Sequence, residues 1–412
     1  MKIAYVVYNE RPTSGLMRTQ VYSLLKEVSY QNPLITVELI AFWQPWVAWR
    51  YRREICILSA ELEEAGIILR SVPLAVIPSR YFLYKTWLFP FLFFWVKLLF
   101  RIVLLMTTPD IIHCRGYFIS LVAVQFSKKY GYRTIFDMRS LWPKEHLTIG
   151  AWHFSDPIYH LWQKNEAEII KLADAIVGIN QAMLNEIFTL YPEAAADLVF
   201  IPICVDTVEF KFNLIERLNR RANLGWSDKI VIVYQGSLGL MNSNLGEVVE
   251  YFMFIASLFS NARFLILTSN VSLDIPAILD GYGLSRDIYT VRNPSAEELP
   301  AWLSAADAGI HAMSLGPDST TRLGVKVVEY LSCSLPIIVN SAVGAAAELV
   351  YQYSIGVVID LTDEITSHRQ LENLFNYCVV PSKKSRMVAR ETFSVESCAA
   401  SYFQLYKKLV SI

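Results

Sequence analysis

The chain has 412 residues, enough for two or three domains at about 150 residues each. Hydrophobic residues make up 54% counting tyrosine, and charged residues 18% against a usual ~25%, which describes a core-rich globular chain with room for a lipid-facing surface. A formal net charge of −1 supplies no basic field and argues against nucleic acid as the main partner.

In chain order, short apolar runs alternate with segments of helical length. The strand candidates of the first half are Lys2–Tyr8, Ile35–Ala41, Ile67–Ser71, Asp110–Cys114, Arg133–Phe136, Ala175–Ile179 and Leu198–Ile201. The second half repeats the plan with Lys229–Tyr234, Phe264–Thr268, Ile288–Val291, Ala308–His311, Pro336–Val339 and Val357–Ile359. Such alternation predicts an α/β fold in which parallel sheets are covered by helices on both faces. At the end, Ser394 reads as an N-cap, and Val395, Cys398, Ala399, Tyr402, Tyr406 and Leu409 recur at helical spacing. Met1–Glu10 reads as a strand followed by charges rather than a signal peptide. The six cysteines (Cys56, Cys114, Cys204, Cys333, Cys378, Cys398) include no CxxC and read as buried free thiols of a reducing compartment. Both features point to the cytoplasm or the cytoplasmic face of a membrane.

The residues with chemistry cluster where strands end, the position at which α/β folds bind ligands. Pro12–Arg18 follows the first strand and opens a helix, so Gly15 lets backbone amides approach a phosphate. Asp110-Ile-Ile-His-Cys-Arg115 places a cation at a strand end. Phe136–Glu145 gathers Asp137, Arg139 and Glu145 after another strand; the plainer alternative is a turn with a local Asp–Arg pair. In Val233–Gly239, Gly236 and Ser237 can bring amides to a diphosphate. Asp307–Val350 reads as strand, polar loop, helix, strand and a second loop opening a helix. Between Gly324 and Cys333, helical spacing puts Val327, Val328 and Leu331 on one side and Lys326, Glu329, Tyr330 and Cys333 on the other. By spacing alone, Lys326 and Glu329 form an i,i+3 ion pair on a solvated face, a contact of ~0.2–0.5 kcal/mol. His146, His153 and His160 recur every seven residues, but Gly150 and Pro157 interrupt them and no zinc spacing results. With no Asp-x-Asp either, no metal and no cofactor is expected.

Lys326-x-x-Glu-Tyr-Leu-x-x-x-x-Pro-Ile-Ile338 resembles the nucleotide-sugar motif of retaining glycosyltransferases with the GT-B fold, of the family-four (glycosyl transferases group 1) type in its bacterial polysaccharide-assembly branch. Pro202-x-x-Val-Asp-x-x-x-Phe210 resembles that family's hinge. The resemblance implies two Rossmann-like domains facing a cleft. Residues 1–204 would bind the acceptor, 205–392 the nucleotide sugar, and 393–412 would form a helix crossing back to the first domain. It makes Glu329 the ligand of the ribose hydroxyls and Lys326 a phosphate contact. Arg322 or Lys326 would replace an Arg and a Lys that the family carries after Gly236 and Ser237 and that Leu240–Glu250 lacks. Other departures are Thr321 where the family's first Glu of Glu-x7-Glu falls, Cys333–Pro336 in place of small-Gly-x-Pro, and Leu16 at the second position of the Gly15 pair. Arg115 stands at the second histidine of His-x-His, with His113 read as structural. Asp137, Arg139 and Glu145 lie in a block similar to one in bacterial polysaccharide transferases and would orient the acceptor and the departing diphosphate.

Trp87–Met106 is about as long as a membrane span, but Lys97 and Arg101 near its middle each cost roughly 2.5–3.5 kcal/mol on insertion. The expectation is a helix half buried in the domain with an aromatic rim toward lipid, joined by Trp43–Arg53 into one face; ordinary core aromatics are the alternative. The function expected is metal-independent, retaining transfer of a sugar from a nucleotide diphosphate to a hydroxyl of a lipid-linked glycan. The alternatives are an assembly subunit that binds nucleotide sugar without turnover, motivated by the departures, and a GT-B nucleotide-sugar epimerase.

Overall fold

The computed structural model describes residues 1–74, 86–238, 245–269, 274–377 and 380–411. Gly239, the start of Leu240–Glu250, and Cys378 lie outside the described residues. The chain divides into two compact units, Met1–Cys204 with Val395–Ile412, and Val205–Ser394.

All thirteen expected strands form, and all pair in parallel. In the first unit β1 (Lys2–Tyr8), β2 (Thr36–Trp43), β3 (Ile67–Pro73), β4 (Ile111–Arg115), β5 (Arg133–Met138), β6 (Ala175–Gly178) and β7 (Asp197–Phe200) form a sheet of order β3-β2-β1-β4-β5-β6-β7. In the second, β8 (Ile230–Gln235), β9 (Ala262–Leu267), β10 (Tyr289–Arg292), β11 (Ala308–His311), β12 (Ile337–Val339) and β13 (Gly356–Val358) take the order β10-β9-β8-β11-β12-β13. Both orders reverse direction beside the first strand of their unit, the Rossmann arrangement, and the crevice at that switch is where such sheets bind ligands.

Alternation along β1 sorts the core into two layers. Ile3, Tyr5 and Val7 pack toward the Ser23–Gln31 and Val395–Val410 helices, while Ala4 and Val6 pack toward Phe89–Thr107 and Tyr117–Tyr130. The terminal helix is therefore part of the first unit, burying Cys398, Tyr402 and Tyr406 there.

This layering separates two stretches that the sequence suggested would form one face. Trp43 is the last residue of β2, fully buried, and its indole N–H donates to the Glu10 carbonyl at 2.8 Å. The Pro45–Arg50 and Arg52–Glu64 helices that follow pack through Ala48, Ile55, Leu58 and Leu62 on the terminal-helix side of the sheet, and the Phe89–Thr107 helix covers the opposite side. Cys114, Cys204, Cys333 and Cys398 are buried thiols, but Cys56 is exposed. Of the spaced histidines, His146 packs edge-on against Trp142 and tilted against Trp152, while His153 and His160 face solvent.

Candidate functional sites at the two switch points

In the second unit the switch lies between β8 and β11, and the Val325–Ser332 helix ends its approach there because of one close packing contact. Gly309 in β11 leaves room for the Tyr330 ring; a Cβ at that position would sit 2.3 Å from the ring. The Tyr330 hydroxyl accepts the Gln235 backbone N–H at 2.8 Å and donates to the Ile310 carbonyl at 3.4 Å. That anchor holds the helix against both strand ends and turns Lys326 and Glu329 toward the loop after β8.

Neither residue belongs to a solvated face, which corrects the reading from spacing. Glu329 is 6% exposed and its Oε2 accepts from Gln235 Nε2. Lys326 Nζ donates to the Tyr234 hydroxyl at 3.2 Å and lies 4.3 Å from the centre of that ring. Gly236 has φ +136°, a conformation that favours glycine, and a Cβ there would lie 2.9 Å from Lys326 Nζ and push that side chain aside. Ser237 is exposed and its carbonyl accepts from the Tyr234 hydroxyl. Burial raises the Glu329 carboxyl to about 7, against the opposing pull of Gln235 and Lys326. Burial also lowers Lys326 to about 7, with Glu329 opposing. His311, at the end of β11, is held neutral by burial and by the Lys326 and Arg322 charges. Arg322 does not stand free as a phosphate cation. Its guanidinium pairs with both Asp318 oxygens at 2.9 and 2.7 Å and donates to the Ser314 and Ala342 carbonyls, so it shapes the loop before the helix.

In the first unit the switch lies between β1 and β4, and a cavity of about 350 Å³ opens there. Its walls are largely aromatic, including Tyr8, Phe89, Phe118, Trp142 and Trp162, with Glu10, Arg115 and Arg139 at the strand ends. Arg115 is buried, and its Nε donates to Glu10 Oε1 at 2.9 Å. Arg115 Nη1, Glu10 Oε2 and the Tyr8 hydroxyl are buried polar atoms without a hydrogen-bond partner among the described residues. Buried polar groups are ordinarily paired, so three orphans at one cavity mark a place for a hydroxyl-bearing or anionic ligand.

Asp137 is fully buried and meets Arg139 at 3.2 Å. Burial would raise its carboxyl, but Arg139, His113 and Arg115 outweigh burial and hold it well below the usual range. Arg139 also donates to Gln20 Oε1 at 3.0 Å, which in turn accepts the Cys204 N–H at 3.2 Å. His113 lies 3.4 Å from Asp137 and 2.7 Å from the Tyr406 hydroxyl of the terminal helix, and burial keeps it neutral. Glu145 accepts from the hydroxyl of Ser140, a cavity-lining residue, at 2.9 Å. Gly15 begins the helical turn capped by Ser14, and Leu16 beside it lines the cavity.

Sequence reasoning missed Tyr8, Glu10, Gln20, Gln235 and His311. Their signal was positional: each strand-end residue among them flanks a switch point once the strand order is known.

The architecture of both units is that of the GT-B class. The sequence pattern of Glycosyltransferase Family 4 matches residues 37–209. No curated protein matches the sequence. Among solved structures, sucrose-phosphate synthase from Thermosynechococcus elongatus is similar at 15% identity and a TM-score of 0.71, covering 100% of this chain and 99% of its own. HepE from Anabaena, solved in complex with UDP, is similar at 15% identity and a TM-score of 0.67, with 100% of both chains covered. WaaG, a glycosyltransferase involved in lipopolysaccharide biosynthesis, is similar at 13% identity and 0.64, covering 98% of this chain and 99% of its own.

Proposed function

We propose that this protein is a glycosyltransferase that takes a sugar from a nucleotide diphosphate bound in its second unit. The observation that carries the reading is the Lys326–Glu329–Gln235 group at the β8/β11 switch, with Glu329 buried and its two neighbours half-buried. Gln235 holds one carboxylate oxygen of Glu329 in place, so the other can accept from the ribose hydroxyls. Lys326 and the amides around Gly236 face the diphosphate, whose negative charge favours the protonated amine. The match over residues 37–209 and the likeness to a fold that binds UDP in HepE support this assignment.

The acceptor, a hydroxyl of a lipid-linked glycan, occupies the aromatic cavity of the first unit, where Glu10, Arg115 and Tyr8 receive its polar groups. Transfer proceeds with retention and without metal. The departing diphosphate oxygen takes the acceptor proton on the face it leaves, and the protein stabilises the leaving charge instead of supplying a strong base. Among the described residues, no group of three or more His, Cys, Asp or Glu could hold a metal ion. Incubation with a panel of labelled UDP-, GDP- and other nucleotide sugars, with NMR of the product anomer, tests the proposal. A retained glycoside supports it, and an inverted one overturns the mechanism. The engagement of Arg322 with Asp318 favours one second reading, a subunit that binds nucleotide sugar without turnover. Tight donor binding with no transfer to any acceptor selects that reading, and release of a free sugar with one ring stereocentre inverted, without an acceptor, selects an epimerase.

A further inference from the structure

The Thr86–Thr107 stretch is long and apolar enough to cross a bilayer by length and composition, yet it is a core helix on one side. Leu92, Val96, Phe100, Val103 and Leu104 pack with Val6 of β1, Ile112 of β4 and Val122 of the Tyr117–Tyr130 helix. The other side is also apolar. Trp87, Phe94, Leu105 and Met106 are 72, 62, 67 and 64% exposed, and Phe91 and Ile102 lie between them. At 1.5 Å per residue this row runs for nearly 30 Å. A contiguous exposed apolar row of that length marks an interaction surface rather than scattered surface residues.

The charges around it decide the partner. Trp87–Met106 contains Lys97 and Arg101 and no carboxylate, and Tyr117–Tyr130 ends in Lys128 and Lys129 and also has none. Ring contacts pair Phe93 with Phe118 and Phe100 with Phe126, so the two helices run side by side in the same direction. Lys128 and Lys129 therefore lie along the turn that carries Arg101. Lys97 rides over the Phe93 and Phe126 rings at 4.9 and 5.7 Å. A second copy on this face would set each molecule's cations against the other's in an isologous contact. A phospholipid surface with anionic headgroups satisfies both the row and its border.

We propose that the outward side of the Phe89–Thr107 helix docks the protein on an anionic lipid surface, the helix lying along the surface and not crossing it. The inward side stays in the sheet core. Because Phe89 and Leu92 also line the aromatic cavity, the docked helix starts at that cavity and sets it beside the lipid. Docking stands apart from glycosyl transfer, since vesicle binding needs neither donor nor acceptor; a failure of either leaves the other to be judged on its own.

The test is flotation of the full chain with vesicles of phosphatidylcholine alone and of phosphatidylcholine mixed with phosphatidylglycerol. The expected result is binding to the mixed vesicles that high salt reduces and alkaline carbonate abolishes. Phe94→Glu with Leu105→Glu, both on the exposed side, removes flotation while leaving the melting temperature and nucleotide affinity as in the parent. Arg101→Gln and Lys128→Gln each weaken binding to the mixed vesicles about fivefold and leave any binding to neutral vesicles unchanged. No flotation with mixed vesicles, flotation untouched by the double substitution, or carbonate-resistant association overturns the proposal. So does a dimer that the double substitution dissolves in a protein that ignores vesicles.

Discussion

Replacing Glu329 with glutamine separates the stability of the second unit from its proposed function. Burial pushes the carboxyl up from its ordinary 4.5 to about 7 in the fold. An acid whose folded pKa is raised destabilises the fold in its charged form. The penalty is absent below about 4.5, grows as pH rises from there to about 7, and is complete above it. At 1.36 kcal/mol per pKa unit this rise, already net of the pull of Gln235 and Lys326, sets a gain of about 3 kcal/mol at most. Glutamine keeps an oxygen to accept from Gln235 Nε2, so the local hydrogen bond survives. Glu329→Gln is therefore more stable than the parent at pH 8, by about 2–4 °C in melting temperature per kcal/mol, and the gap closes toward pH 4.5. Calorimetric nucleotide affinity falls in the same variant by about 10- to 150-fold, the worth of one charge-assisted hydrogen bond to ribose. Equal melting temperatures at pH 8 would refute the buried, destabilised carboxylate. Higher stability with unchanged nucleotide affinity would refute its ribose role.

Arg115→Met lowers kcat/KM for the acceptor by about 10²–10³-fold while nucleotide affinity stays at the parent value, because the first unit's polar cavity wall is lost; initial rates beside calorimetry check both. Gly309→Ala destabilises the second unit by at least about 1–3 kcal/mol, since its methyl group meets the Tyr330 ring, and urea unfolding reads the loss. Tyr330→Phe leaves the Gln235 N–H without its acceptor and costs about 1–3 kcal/mol by the same measurement. Turnover persists in EDTA; loss of activity that manganese restores would contradict the metal-free mechanism.

The strands were legible because most are short apolar runs between polar stretches, and local pattern alone identifies such a run. The helix from Val325 was legible for the same reason, as was the terminal helix. Other features depend on which strands lie side by side, a long-range choice that no local period encodes. Strand order brought Glu10 to Arg115 and Gln235 to Glu329, partners separated by 105 and 94 residues. It buried Asp137 behind Arg139 and placed Trp43–Arg53 on the far side of the sheet from Trp87–Met106. Arg322 was one of two candidates for the phosphate-facing charge in the sequence, and only the folded loop showed its guanidinium held by Asp318. The apolar, acid-free character of Trp87–Met106 was determined by the residues themselves. Which half of that helix faces the core and which is left to the surface was decided by the sheet, because a helix apolar all round has no intrinsic inside.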